Sequence, residues 1–451
     1  MSLKAVRGTL LDCVSDPWTV PDEKLALRYV PDGVLLFEDG KLLQAGEADP
    51  ILAANPSVRV EDFSGHLIVP GFVDVHLHYA QTRIIGSFGR QLLDWVQTYT
   101  FPEELKFTDK GYADEVAALF FQEMFRCGTT TVQSFATTHP NSVIAFFEEA
   151  QRHRAQVLCG LTGIDREGAA PEAYRDTPIG FYEGSKELLE RFHRNGRCLY
   201  SIAPRFAFGS TPEQLEMAGR LAAEHPDCWI QTHLSENPAE VASVLELFPD
   251  CSDYTAVYEK YGLVRKRFVA GHGIYLCEDE FRRLGQAGAS IAFCHASNLF
   301  LGSGCFQWDR ANAHGVRWGL GCDSGGGNTM SLLKTLEDAY KVGMLQVVTS
   351  EREKCEESLR MSAAKALFAA TYGSARCLDL HDEIGNFEVG KAADFVVLDT
   401  GASPVLDFRR GTDRPRTSLE AACHQFFGMM MVWVPEVVKS TYIAGHRVFS
   451  R

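Results

Sequence analysis

The spacing of apolar and polar positions changes near residue 67. Before it, short apolar runs are punctuated by turn residues: Gly33-Val-Leu-Leu-Phe-Glu-Asp-Gly40, Lys41-Leu-Leu-Gln-Ala-Gly46 and Val58-Arg-Val-Glu-Asp-Phe63. Asp39-Gly40 between two of these runs predicts a hairpin, because a tight two-residue turn needs positive φ and these residues tolerate it. After it, short apolar runs at 67–76, 129–135, 156–164, 198–202, 229–232, 268–270, 290–294 and 316–321 read as strands. Between them lie stretches of helical period at 112–126, 141–154, 179–195, 212–225 and 278–286. Thr211-Pro212-Glu213 is a helix start, with a capping hydroxyl and a proline at the first helical position. Eight β-then-α units over roughly 280 residues predict an α/β fold, a (β/α)8 TIM-type barrel. A doubly wound open sheet is the alternative on pattern alone. Helices follow at 330–348 and 355–371, and strands return at 393–398 and 441–449. The expected domains are therefore a catalytic barrel over 67–375 and a small β-sandwich formed from both chain ends, 1–66 and 376–451.

Charge narrows the partners. Lys+Arg 44 against Asp+Glu 59 gives a net charge of −15, with no basic run, which argues against nucleic acid or an anionic membrane. A small-molecule substrate is compatible. The start, Met-Ser-Leu-Lys-Ala-Val-Arg-Gly, lacks the apolar core of a signal peptide, and the apolar run 426–434 stops at Pro435, too short to span a bilayer. Of the thirteen cysteines no pair has Cys-x-x-Cys spacing, and Cys159, Cys198, Cys228 and Cys294 sit in apolar runs as small buried hydrophobes. A reducing, cytoplasmic setting is expected.

Barrel chemistry sits at the C-terminal strand ends. The first such strand closes in Val73-Asp-Val-His76-Leu-His78, and residues two apart on a strand share a face. His233, His272 and Asp323 close three more strands. Singly, His233 reads as a core histidine, His272 between two residues of Gly-His-Gly as structural, and Asp323 before Ser-Gly-Gly-Gly as a turn residue. Four histidines and an aspartate at one end of four strands read as a metal site.

This set resembles the amidohydrolase superfamily. The fourth strand, Leu199-Tyr-Ser-Ile-Ala-Pro-Arg205-Phe206, lacks the lysine of the superfamily's binuclear branch. The resemblance thus implies one divalent metal held by His76, His78, His233 and Asp323, a set that suits Zn2+, with Fe2+ the alternative. Glu236, three residues past His233, marks the deaminase subclass. Gln81-Thr-Arg83, the 91–104 stretch from Gln91 through Leu-Leu-Asp-Trp to Phe-Pro-Glu-Glu104, Pro204-Arg-Phe206 and His233-Leu-Ser-Glu-Asn237 are similar to the guanine deaminase family, as is the widely shared 383–394 tail. The similarity covers nearly the whole chain.

It implies hydrolysis of guanine to xanthine and ammonia by a homodimer, through water made acidic by the metal. Glu236, His272 and Asp323 would be catalytic: Asp323 accepting a proton from that water, His272 steadying it, Glu236 carrying protons to the ring and the leaving amine. Gln81, Arg205 and Phe206 would meet the purine edge, with His233, Glu236, Asp323 and Trp95 around it; Phe101 covers the base or is plain core. An aminopurine such as 8-oxoguanine, or a triazine, is the alternative substrate, and an inactive scaffold the remote one. One departure stands out: Cys294-His295-Ala-Ser297-Asn298 replaces the family's Cys-Pro-x-Ser-Asn, which reads as loop variation, the alternative being a titratable group that modifies substrate choice. The chain has no Pro-Cys-x-x-Cys of the zinc cytidine deaminases, and its 319–327 glycines lack the Gly-Lys-Ser/Thr of a phosphate loop.

Overall fold

A computed structural model describes residues 3–88, 92–349, 356–412 and 414–451. Gln91 and Cys355, which open two stretches read above, lie outside the described residues, as do Met1 and Ser2. Eight barrel strands are present: β1 (Phe72–His78), β2 (Thr129–Phe135), β3 (Gln156–Gly160), β4 (Cys198–Pro204), β5 (Trp229–Leu234), β6 (Phe268–His272), β7 (Ser290–Phe293) and β8 (Arg317–Leu320). Neighbours in the sheet are neighbours in the chain, from β1 to β8. The helices between them start where local chemistry predicts. Thr211 and Thr177 each accept a backbone N–H three residues on, with Pro212 and Pro178 in the first turn.

The open-sheet alternative fails at the seam. Beyond the last strand, Asp323 N donates to His76 O at 3.0 Å and His78 N to Ser324 O at 3.4 Å, so the first and last strands are stitched together at their C-terminal ends. A barrel results.

Two predicted strands divide. The apolar run from 67 belongs to two elements, because Arg59–Pro70 ends at the proline and β1 begins at Phe72. Gly71 joins them where a Cβ would lie 2.1 Å from Thr130 Oγ1. Uniform burial on both sides hides this break from a hydropathy pattern. The 156–164 run breaks at Leu161, whose N–H goes to the Tyr200 hydroxyl (3.1 Å), and Thr162–Gly163 pairs separately with β4. The helix expected at 355–371 likewise forms two pieces, Glu356–Leu359 and Ala363–Ala370, the second capped by Ser362.

The chain ends meet in one continuous seven-stranded sheet, in the order His446–Ser450, Val438–Ile443, Phe395–Leu398, Arg59–Pro70, Lys4–Cys13, Leu27–Glu38, Lys41–Glu47. Val6, Leu10, Leu35, Phe37, Ile68, Phe395 and Tyr442 form its buried face. The chain divides into two compact units: Met1–Val73 with Gln122–Thr131 and Ser331–Arg451, and Asp74–Phe121 with Val132–Met330. Every residue singled out above as a site residue lies in the second. Among the described residues no helix is long and apolar enough to cross a membrane.

Candidate active site

The five strand-end residues converge. His78 Nε2 lies 3.1 Å from His233 Nε2, and Asp323 Oδ1 lies 3.5 Å from His76 Nε2 and 3.6 Å from His78 Nε2. All are buried. His233 Nδ1 meets Arg205 O at 2.7 Å; a carbonyl only accepts, so Nδ1 carries the proton and Nε2 presents a lone pair to the centre. Asn298 Oδ1 fixes His272 in the same way, at 2.8 Å from its Nδ1. His76 Nε2, His272 Nε2 and Asp323 Oδ1 are buried without a hydrogen-bond partner among the described residues. Buried polar atoms of this kind cost free energy unless paired. Lone pairs from three imidazoles and a carboxylate aimed at one point fit a divalent cation, and the bond from His233 Nδ1 to Arg205 O holds that ring in the tautomer that ligation needs.

Electrostatics agree with that donor role. Burial holds His76, His78 and His233 below the ordinary imidazole range, with Arg205 and the neighbouring rings reinforcing it at His78 and His233. Burial pushes the Asp323 carboxyl up, but His76 at 3.5 Å and the charges of His272 and His233 outweigh it and leave it at about 2. Burial drives Glu236 to about 7, although His272 and a 3.0 Å bond from Ser303 pull it down. His272 Nε2 is 3.4 Å from Glu236 Oε2, and that carboxylate with Asp323 raises His272 against the lowering effect of burial.

A cavity opens over the cluster. His78, His233, Glu236, His272 and Asp323 form its polar floor; Gln81 and Arg205 form one wall, and Trp95, Val96, Phe206 and Leu301 supply the apolar remainder. Gln81 sits on the short turn Tyr79–Ile84 directly after β1, and Arg205 and Phe206 follow β4. Trp95 is fixed by its indole N–H to Ser87 O at 3.0 Å. Phe101 is core: it packs behind Phe206 with Ile164 and Tyr174 and does not line the cavity.

The Amidohydrolase family profile matches residues 67–448. The guanine deaminase of Escherichia coli (strain K12) is 42% identical over 451 residues, covering 100% of this chain and 98% of that one. The Homo sapiens guanine deaminase is 33% identical over 405 residues, covering 88% and 86%. The crystal structure of guanine deaminase from Bradyrhizobium japonicum superposes with a TM-score of 0.97 at 42% identity, covering both chains completely. The chain belongs to the amidohydrolase family, among the guanine deaminases.

The stretch read as loop variation is helical. His295 opens the helix His295–Phe300, is buried with its ring 4.1 Å from Phe293, and does not line the cavity. The same helix delivers Asn298 to His272, which is the contact the site uses. Five residues make supporting contacts to which the sequence reading gave no role: Glu104 and Tyr174 behind the Gln81–Arg205 wall, Asn298 behind His272, Ser303 on Glu236, and Asp74, whose buried carboxyl takes the N–H groups of His76 (3.2 Å) and Cys322 (3.3 Å). Glu104 and Asn298 stood inside quoted motifs, and Asp74 lies two residues before His76 on the same strand face; Tyr174 and Ser303 carried no local signal. A second histidine group, His193 with Asp227 and Cys228, is less suited to a cation: Asp227 is bound by Arg194 at 2.8 Å, and burial pushes the Cys228 thiol up to about 12.

Proposed function

We propose that the chain hydrolyses guanine to xanthine and ammonia, with one divalent cation held by His76, His78, His233 and Asp323. The observation that carries the reading is that the His/Asp cluster and the Gln81–Arg205 wall bound the same buried cavity. A cation bound there would supply Lewis-acid charge and a water acidic enough to act at neutral pH. The nitrogen-rich donor set favours Zn2+, with Fe2+ next.

The chain's own residues do the rest. Asp323, beside His76 and His78 at the floor, is placed to accept a proton from the attacking water. Glu236, at about 7, exists in both forms at working pH, so it takes one proton of the attacking water, gives it to a ring nitrogen, and then passes the second, held meanwhile by Asp323, to the departing amine. His272 Nε2 faces both carboxylates and is placed to hold a hydrogen bond to the attacking oxygen. Arg205, and the Gln81 N–H not bonded to Glu104, offer donors to the oxo edge of the base, with the Phe206 ring and Trp95 excluding water. A homodimer in the cytoplasm is part of the same reading.

The test is ammonia release from guanine, 8-oxoguanine, adenine, cytosine and melamine by the metal-loaded protein. Guanine is expected to be turned over fastest. No release from guanine would remove the substrate assignment.

A further inference from the structure

Glu104 is fully buried, closes the helical turn Phe101–Glu104, and has no part in the chemistry above. Three donors from separate parts of the barrel meet its carboxylate. Gln81 Nε2 donates to Oε1 at 2.7 Å, Arg205 Nη1 approaches both oxygens at 3.3 and 3.2 Å, and the Tyr174 hydroxyl bonds Oε2. Gln81 and Arg205 line the cavity; Glu104 and Tyr174 stand behind them.

The geometry dictates what the wall can present. A carboxylate accepts and never donates, so it turns the Gln81 amide with its NH2 toward Glu104. The amide oxygen is left near Gly325, where an added Cβ would lie 2.0 Å from Gln81 Oε1. Gly325, at φ +121°, is therefore a position that keeps room for this orientation. Arg205, almost wholly buried, has its charge balanced by Glu104, and one face of its fork is committed to that pair. Its other N–H groups are thereby left for the cavity.

We propose that Glu104 is a positioning residue that fixes the donor pattern of the Gln81–Arg205 wall and so sets the preference for a 6-oxopurine over a purine lacking that oxygen. The proposal rests on the purine reading above. It also explains why the segment bearing Trp95 ends in a buried acid: the same residue that orders the wall pins that segment to the barrel.

Glu104→Gln tests it, since the substitution keeps the volume and an acceptor for Gln81 while removing the charge. In the metal-loaded protein the guanine KM should rise about tenfold or more, with kcat falling by less. Hypoxanthine, which has the oxo group and no amine, should lose inhibitory strength in parallel, whereas unsubstituted purine should change less than about threefold. Tyr174→Phe leaves the charge pair and should move the hypoxanthine-to-purine ratio the same way by about twofold to fivefold. An unchanged ratio in folded Glu104→Gln protein overturns the proposal, and so does an equal loss for purine, the mark of a collapsed pocket. If Glu104→Gln does not fold, an unchanged ratio in Tyr174→Phe overturns it. Wild-type protein that bound hypoxanthine yet left guanine untouched would fail the deamination reading instead, and the ratio would still judge Glu104.

Discussion

Two carboxyl groups share one cavity floor and are held in opposite protonation regimes. Asp323 lies near His76, His78 and His272 and stays ionised; Glu236 has one 3.4 Å contact to His272 and a hydroxyl, too little to offset its burial. Separate environments for two acids are how a site obtains a fixed acceptor and a proton carrier from the same chemistry. Glu236→Gln keeps the shape and removes the exchangeable proton. Turnover of guanine should fall about 100-fold to 10,000-fold while metal content is unchanged. Near-normal turnover in that variant would end the shuttle role. At the same scale, Arg205 does two jobs with different groups: its carbonyl sets the His233 tautomer and its guanidinium faces Glu104.

Among the elements, strand ends and their glycines decide whether the ligands meet. Gly271 of β6 has no side chain because a Cβ there would sit 2.6 Å from His76 Cε1, and Gly321 after β8 would press on His76 Cβ at 2.9 Å. The imidazole of β1 is thus seated against bare backbone from two other strands. Gly271→Ala should push that ring off the cluster. Wild-type protein is expected to hold about one divalent metal per chain, and the variant to lose metal on gel filtration, read by elemental analysis. Full retention by the alanine variant would mean that the ring has room to move, and two metals in the wild type would defeat the single-site assignment. The seam bond from Asp323 N to His76 O works in the same direction, since it locks the two ligand-bearing strand ends to each other.

For the molecule as a whole, stability is coupled to pH through buried acids away from the cluster. Burial raises Asp176 from 3.8 to about 7, although the Ile164 N–H (3.1 Å) and the Gln214 amide (2.8 Å) pull it down. A raised folded-state value means the folded form holds the proton more tightly than the unfolded form. Its stabilising share is complete below about pH 4 and is lost as pH rises through about 7. Asp176→Asn cannot ionise. Its melting temperature relative to wild type should therefore climb between about pH 4 and about pH 7; parallel curves for the two proteins would show that Asp176 titrates normally.

The sequence by itself determined the strand-and-helix alternation, both chain ends as sheet, and the cluster of strand-end histidines and aspartate. Those follow from local rules: period two along β1 puts His76 and His78 on one face, and a barrel puts every strand's C-terminal residue at one rim. It misplaced the start of β1, because Leu67 to His78 is apolar and buried on both sides of Gly71 and hydropathy does not register a change of sheet. Only the tertiary structure decided how the rim closes and what stands behind it. The Glu104 carboxylate reaches Gln81 across 23 residues and Arg205 across 101, and a sequence carries no local mark of pairing at such distance. Which residue types reach the rim is a matter of strand period, whereas tautomer, amide orientation and charge balance depend on which atoms the closed barrel brings within hydrogen-bond reach.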